Sequence, residues 1–92
     1  MKVVIADDDA LVSVSLKTIL EAKGEIEVAA TATDAGEAVM LYEQYHPDVL
    51  LLDIQMGEES GLTAAEQVLK KDPQAKILFL TTFSDNEYII RA

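Results

Sequence analysis

Three short apolar runs punctuate an otherwise mixed chain: Val3 to Ala6, Val49 to Leu52, and Ile77 to Leu80. Each is continuous rather than alternating and is bounded by polar residues, the pattern of a parallel strand buried on both faces. Between them apolar residues recur at helical spacing, as in Ala35, Ala38, Val39, Tyr42 and Tyr45, or Leu62, Ala65, Val68 and Leu69. That periodicity turns one face of each stretch toward a core. A first helix is predicted from about Ala10 to Lys23, behind Asp9 and stopping at Gly24, with a weaker strand at Ile26 to Thr31. Asp34 followed by Glu37 reads as a helix cap with its return partner. A further helix is predicted to begin near Asn86 and to run through Arg91 and Ala92.

Strands alternating with helices imply an α/β fold, and right-handed crossovers leave few arrangements. The expectation is a flavodoxin-like, doubly wound parallel sheet of strand order 2-1-3-4. With 92 residues and half of them hydrophobic, the chain suffices for one small domain with a real core. It contains no internal repeat, low-complexity segment or linker.

Charge narrows the partners. Seventeen acidic residues against seven basic ones give a net charge of −10, which opposes direct contact with nucleic acid or an anionic membrane. The chain has no cysteine, so a disulfide framework and a thiolate zinc site are excluded, and the composition suits a reducing cytoplasm. No run approaches the roughly 18 apolar residues of a membrane span, and the opening apolar run is too short for a signal peptide.

The candidate chemistry falls at strand ends. Asp7 and Asp8 follow the first apolar run, Asp53 the second and Thr81 the third, so a parallel sheet gathers them on one edge. If the first and third strands are neighbours, the winding reverses between them, and open α/β sheets bind ligands in that crevice. Adjacent strands lie about 4.8 Å apart, which brings the carboxylates close. Crowded carboxylates repel when ionised, and a hard divalent cation such as Mg²⁺ relieves that repulsion. A carboxylate beside such an ion can act as a nucleophile toward phosphorus, giving an aspartyl phosphate, with the Thr81 hydroxyl as a donor to it.

Each of these residues also has a purely structural reading. Asp53 could cap the loop that follows it, Asp7 could cap the first helix, and Thr81 and Thr82 could be ordinary β-branched strand residues. Asp9 is assigned as the helix cap. His46 precedes Pro47, which favours an extended turn into the third strand at the sheet end opposite the acids, and it is read as structural. Glu58, Glu59 and Ser60 are read as a solvated loop and Gly61 as serving the turn before the third helix. Tyr42, Tyr45 and Tyr88 are read as packing residues.

Three ordered segments carry a family resemblance: Val3-Val4-Ile5-Ala6-Asp7-Asp8-Asp9, Pro47-Asp48-Val49-Leu50-Leu51-Leu52-Asp53-Ile54-Gln55-Met56, and Ile77-Leu78-Phe79-Leu80-Thr81-Thr82. In order and spacing they resemble the receiver domain of a bacterial two-component response regulator. The stretch Leu80-Thr81-Thr82-Phe83 is similar to regulators of the LuxR/NarL type, whose second domain is a DNA-binding helix-turn-helix. The resemblance implies that Asp53 is the phosphoacceptor, Asp8 the main side-chain ligand of Mg²⁺ and Asp7 its acidic neighbour. It implies that Gln55 contributes its backbone carbonyl to the ion, that Thr81 is the switch hydroxyl and that Thr82 flanks access to the phosphate. The implied partner is a sensor histidine kinase, the implied setting the cytoplasm, and the implied activity that of a phosphoacceptor rather than an enzyme. Transcription would be regulated through an output domain outside this chain.

Two departures stand out. Gly57 occupies the place where most receivers have proline, which implies a more mobile acceptor loop with the same chemistry. Receivers also continue into a fifth strand, which ends in a phosphate-contacting lysine and carries an aromatic switch, and a fifth helix; no residue up to Ala92 takes these roles. The expectation is therefore a C-terminally incomplete receiver over residues 1–92, with a fourth-strand edge prone to dimerisation or strand exchange. The rival readings are a phosphorylation-incompetent interaction fragment and an aspartate-nucleophile phosphatase of the haloacid dehalogenase type. That phosphatase type needs a second acid two residues after the nucleophile, where this chain has Gln55. A nucleotide binder is disfavoured because acids, not a glycine-rich loop, follow the first strand.

Overall fold

A computed structural model describes residues 1–56 and 59–80, with Met56 and Glu59 described in their backbone only. Gly57, Glu58, Thr81, Thr82, Tyr88 and the helix expected near Asn86 lie outside the described residues. The chain order is β1 (Lys2–Ala6), α1 (Ala10–Glu21), β2 (Glu27–Ala32), α2 (Ala35–Tyr45), β3 (Val49–Asp53), β4 (Gln55–Met56), β5 (Glu59–Ser60), α3 (Gly61–Lys71) and β6 (Ile77–Leu80). Four strands form one parallel sheet in the order β2-β1-β3-β6, which is the expected 2-1-3-4 once the small ribbon of β4 and β5 is set aside. Among the described residues there is no fifth strand of that sheet and no fifth helix, and no helix is long and apolar enough to cross a membrane.

The three apolar runs form strands because both of their faces are covered. On one face Val4, Ala6, Leu50, Leu52 and Ile77 pack under α2 and α3, against Ala38, Tyr42, Ala64 and Val68. On the other, Val3, Ile5, Val28 and Leu51 meet Leu16 and Leu20 of α1. A register shift between Val3 and Val4 leaves Ala29 unpaired in the β1–β2 ladder, a bulge that bends the edge strand.

Helix boundaries follow local hydrogen bonding. Leu11 N–H donates to the Asp9 carboxylate at 2.9 Å, confirming Asp9 as the α1 cap. Helix α1 stops two residues earlier than expected, at Glu21, and Gly24 takes a left-handed φ of 74° in the turn beyond. Asp34 accepts from Glu37 N–H at 2.7 Å, while the Glu37 carboxylate accepts from Thr33 N–H at 2.8 Å, so the return partner reaches one residue before the cap. Lys70 and Lys71 sit in the last turn of α3, where positive charge complements the helix dipole.

Two sequence expectations are corrected here. His46 is not extended: it adopts φ 45°, ψ 60° as the left-handed C-cap of α2, donating its N–H to Tyr42 O at 2.8 Å. Ending α2 outweighs the extended preference of a residue before proline. The buried face of α3 is Gly61, Ala64, Ala65 and Val68, whereas Leu62 and Leu69 are exposed. Small residues let the helix backbone lie close to the sheet, which bulky leucines would prevent.

Tyr42 is buried, and its hydroxyl donates to Asp72 at 2.8 Å, tying α2 to the end of α3. Burial, then the Asp72 carboxylate, push its pKa up to about 12. Tyr42→Phe is expected to cost about 1.5–3 kcal/mol in a urea titration, the range for a hydrogen bond to a charged group. A change below a few tenths would show that this bond contributes nothing.

A candidate phosphoacceptor and metal site

Strand register assembles the site. Ala6 lies opposite Leu52 in the β1–β3 ladder, so the next residue of each strand, Asp7 and Asp53, emerges side by side at the carboxyl edge. Asp53 in turn lies opposite Leu80 of β6, the last described residue before Thr81. Backbone bonds pin both ends: Asp7 N–H donates to Ala32 O at 3.0 Å, and Ile54 N–H to Leu80 O at 3.4 Å.

Asp7 and Asp53 are almost completely buried, at 1% and 3% exposure, and Asp8 is exposed beside them. One carboxylate oxygen from each of the three lies within 4.8 Å of the others. Asp7 Oδ1 accepts from Asp9 N–H at 2.8 Å, and Asp53 Oδ1 from Gln55 N–H at 3.2 Å. Asp7 Oδ2 is buried with no hydrogen-bond partner among the described residues. A buried acceptor oxygen left unsatisfied calls for a further partner, either a water or an ion.

Electrostatics reflect this crowding. Burial, followed by the charges of Asp7 and Asp8, pushes Asp53 up to about 6, against the opposing pull of the Gln55 N–H. Asp7 is raised too, chiefly by burial and then by Asp8 and Asp9, with the Asp9 N–H opposing. Without a counterion the pocket cannot comfortably hold all of its negative charge.

The acceptor strand turns back sharply after Asp53. Gln55 pairs with Ser60 and Met56 with Glu59, closing a short antiparallel ribbon that delivers Ser60 and Gly61 to the site. Ser60, read from sequence as part of a solvated loop, is instead the N-cap of α3: its hydroxyl accepts from Leu62 N–H at 3.1 Å. Gly61, read as a turn glycine, is the first residue of α3, buried against the Asp53 backbone. The signal available was a serine directly before helical spacing, with a poor helix former next to it.

At the opposite sheet edge Asp48 accepts from Lys2 N–H and donates its own N–H to Lys2 O, both at 2.7 Å. Its role in anchoring β1 was not foreseen from the sequence. His46 caps α2 immediately before this segment, at the start of β3 and away from the acids.

The fold and the acidic edge together define a receiver. Residues 3–92 match the family model described as the response regulator receiver domain, and the chain belongs to that family. It is 47% identical over 90 residues to the oxygen regulatory protein NreC of Staphylococcus aureus, covering 97% of this chain and 42% of that protein. The chain thus spans less than half the length of the curated relatives it matches. Among solved structures, a LuxR-family two-component response regulator from Aurantimonas sp. SI85-9A1 superposes with a TM-score of 0.85 at 29% identity, covering 90% of this chain and 59% of that one. A chain of the CheX-CheY-BeF3-Mg²⁺ complex from Borrelia burgdorferi matches with a TM-score of 0.85 at 26% identity, covering 95% and 66%. The chain is a two-component receiver domain similar to those of NreC and LuxR-family regulators.

Proposed function

We propose that this receiver takes a phosphoryl group from the phosphohistidine of a sensor histidine kinase onto Asp53, as a cytoplasmic phosphoacceptor rather than an enzyme. The observation that carries the reading is the buried Asp7–Asp53 pair with Asp8 beside it, together with a buried Asp7 carboxylate oxygen that has no hydrogen-bond partner among the described residues. Asp7, Asp8, Asp53 and the Gln55 backbone carbonyl would hold Mg²⁺. The ion supplies neutralising charge for the incoming phosphoryl oxygens.

An Asp53 carboxylate oxygen attacks phosphorus in line, the phosphorus–nitrogen bond to the donor histidine breaks, and the imidazole departs with the electron pair. The Gln55 N–H, already on Asp53 Oδ1, holds the acceptor carboxylate in place. Thr81, next in the chain after Leu80, then donates its hydroxyl to the phosphoryl group. An added charge of about −1.5 to −2 biases the surface near β6. In the larger protein that surface governs an output domain that binds DNA.

Beryllofluoride, a stable phosphoryl mimic, tests the reading. Added with Mg²⁺, it is expected to shift the backbone amide resonances of Asp7, Asp8, Asp53 and Ile54 and to leave those around Asp48 unmoved. A spectrum unchanged at the acidic edge would count against it.

A further inference from the structure

Gly61 is separated from Asp53 by a loop but touches it in space. A Cβ at position 61 would fall inside the van der Waals envelope of the Asp53 carbonyl oxygen, 2.9 Å from the Asp53 carbonyl carbon and 3.2 Å from Ile54 Cα. Those obstacles are backbone atoms, which cannot swing aside as a side chain does. The requirement is spatial, since Gly61 is not among the residues with positive φ. Gly61 N–H also donates to Ile54 O, the next carbonyl along, at 2.7 Å, so the start of α3 is packed against the Asp53 carbonyl and hydrogen-bonded to the peptide that follows it.

From this contact we infer that Gly61 is a positioning residue for the phosphoacceptor: its missing side chain lets the start of α3 hold the Asp53 peptide in register with Asp7 and Asp8. The inference rests on the proposed metal and phosphoacceptor reading. The chain of effects is short. Reaching ordinary van der Waals contact needs the methyl and the Asp53 carbonyl carbon to separate by at least about half an ångström, and the carbonyl oxygen demands more. That movement displaces the Asp53 side chain and the Gln55 N–H bound to it. Mg²⁺ accepts only near-ideal octahedral geometry, so a ligand set displaced on this scale binds it poorly. In-line transfer is similarly intolerant, with a misplacement of about 1 Å costing on the order of 100-fold.

The test compares Gly61→Ala with Val68→Ala, which opens the buried face of α3 without touching the Asp53 peptide. Both are titrated with Mg²⁺ by amide chemical shift at a temperature where circular dichroism shows them folded, and both are then phosphorylated with acetyl phosphate. Gly61→Ala is expected to weaken Mg²⁺ binding and slow phosphorylation by roughly ten-fold or more, with Val68→Ala within about two-fold of the parent chain. A folded Gly61→Ala chain within two-fold of the parent, or an equal loss in Val68→Ala, would overturn the assignment.

If Gly61→Ala does not fold, Ser60→Ala decides. It removes the α3 cap and loosens the same grip without adding bulk, so a loss of about three-fold or more beyond Val68→Ala is expected. No such loss would refute the positioning role. A parent chain that neither binds Mg²⁺ nor accepts phosphate would instead overturn the phosphoacceptor reading, and this inference with it.

Discussion

Asp53→Asn is expected to stabilise the metal-free chain by about 1–3 kcal/mol at pH 7 and above, and to have almost no effect near pH 4. The physical basis is linkage. Folding raises the Asp53 pKa from 3.8 to about 6, so the folded state binds more protons than the unfolded state across that interval. Stability is therefore greatest below the unfolded value, falls as pH rises through about 6, and levels off beyond it. Asp7 is raised as well and steepens the fall in the same direction. Because the two carboxylates are coupled, they titrate as a pair, and the amide in place of one of them relieves both. One pKa unit corresponds to about 1.4 kcal/mol, which sets the upper end of the estimate. Urea midpoints of the two chains between pH 4 and 8, in chelator, check this. Adding Mg²⁺ is expected to narrow the gap, since the ion stabilises only the chain that binds it well. Parallel curves for the two chains at all pH values would show that Asp53 carries no strain.

The second large effect is expected at the residue just before the acceptor. Leu52 is fully buried, lies between Ala6 and Phe79 in the sheet, and belongs to the core beneath α2 and α3. Leu52→Ala is expected to cost about 2–5 kcal/mol, the transfer free energy of the lost methyl groups plus that of the cavity left behind. A domain of this size has about 5–14 kcal/mol in total, so a large share of its stability would go. Leu62→Ala serves as the contrast: that leucine is exposed on α3, and its removal is expected to change stability by about 0.5 kcal/mol or less. Equal costs at the two positions, measured by urea denaturation, would contradict the assignment of faces.

Much of the fold was legible because the signals were local and redundant. Val3 to Ala6, Val49 to Leu52 and Ile77 to Leu80 are apolar on both faces, and a strand between two helical layers must be so. The close approach of Asp7 and Asp53 followed from the same logic, since both continue neighbouring strands. Helix α3 was less legible. Hydropathy favours Leu62 and Leu69 for its inner face, yet that face is chosen by how near the helix must come to the sheet, and Gly61, Ala64 and Ala65 permit the closer approach. His46 shows a similar limit, because a preference set by its neighbour Pro47 yields to the need to end α2. The contact of Gly61 with Asp53 could not be read at all. It depends on how the β4–β5 ribbon folds back, and no local pattern encodes that return.

The central claim is that Asp53 accepts a phosphoryl group, and intact mass measurement tests it most directly. The chain is incubated with acetyl phosphate, with and without Mg²⁺, beside Asp53→Asn. One phosphoryl adduct that requires Mg²⁺ and is absent from Asp53→Asn is the expected result. No adduct on a folded, Mg²⁺-binding chain, or an adduct that persists in Asp53→Asn, would contradict it.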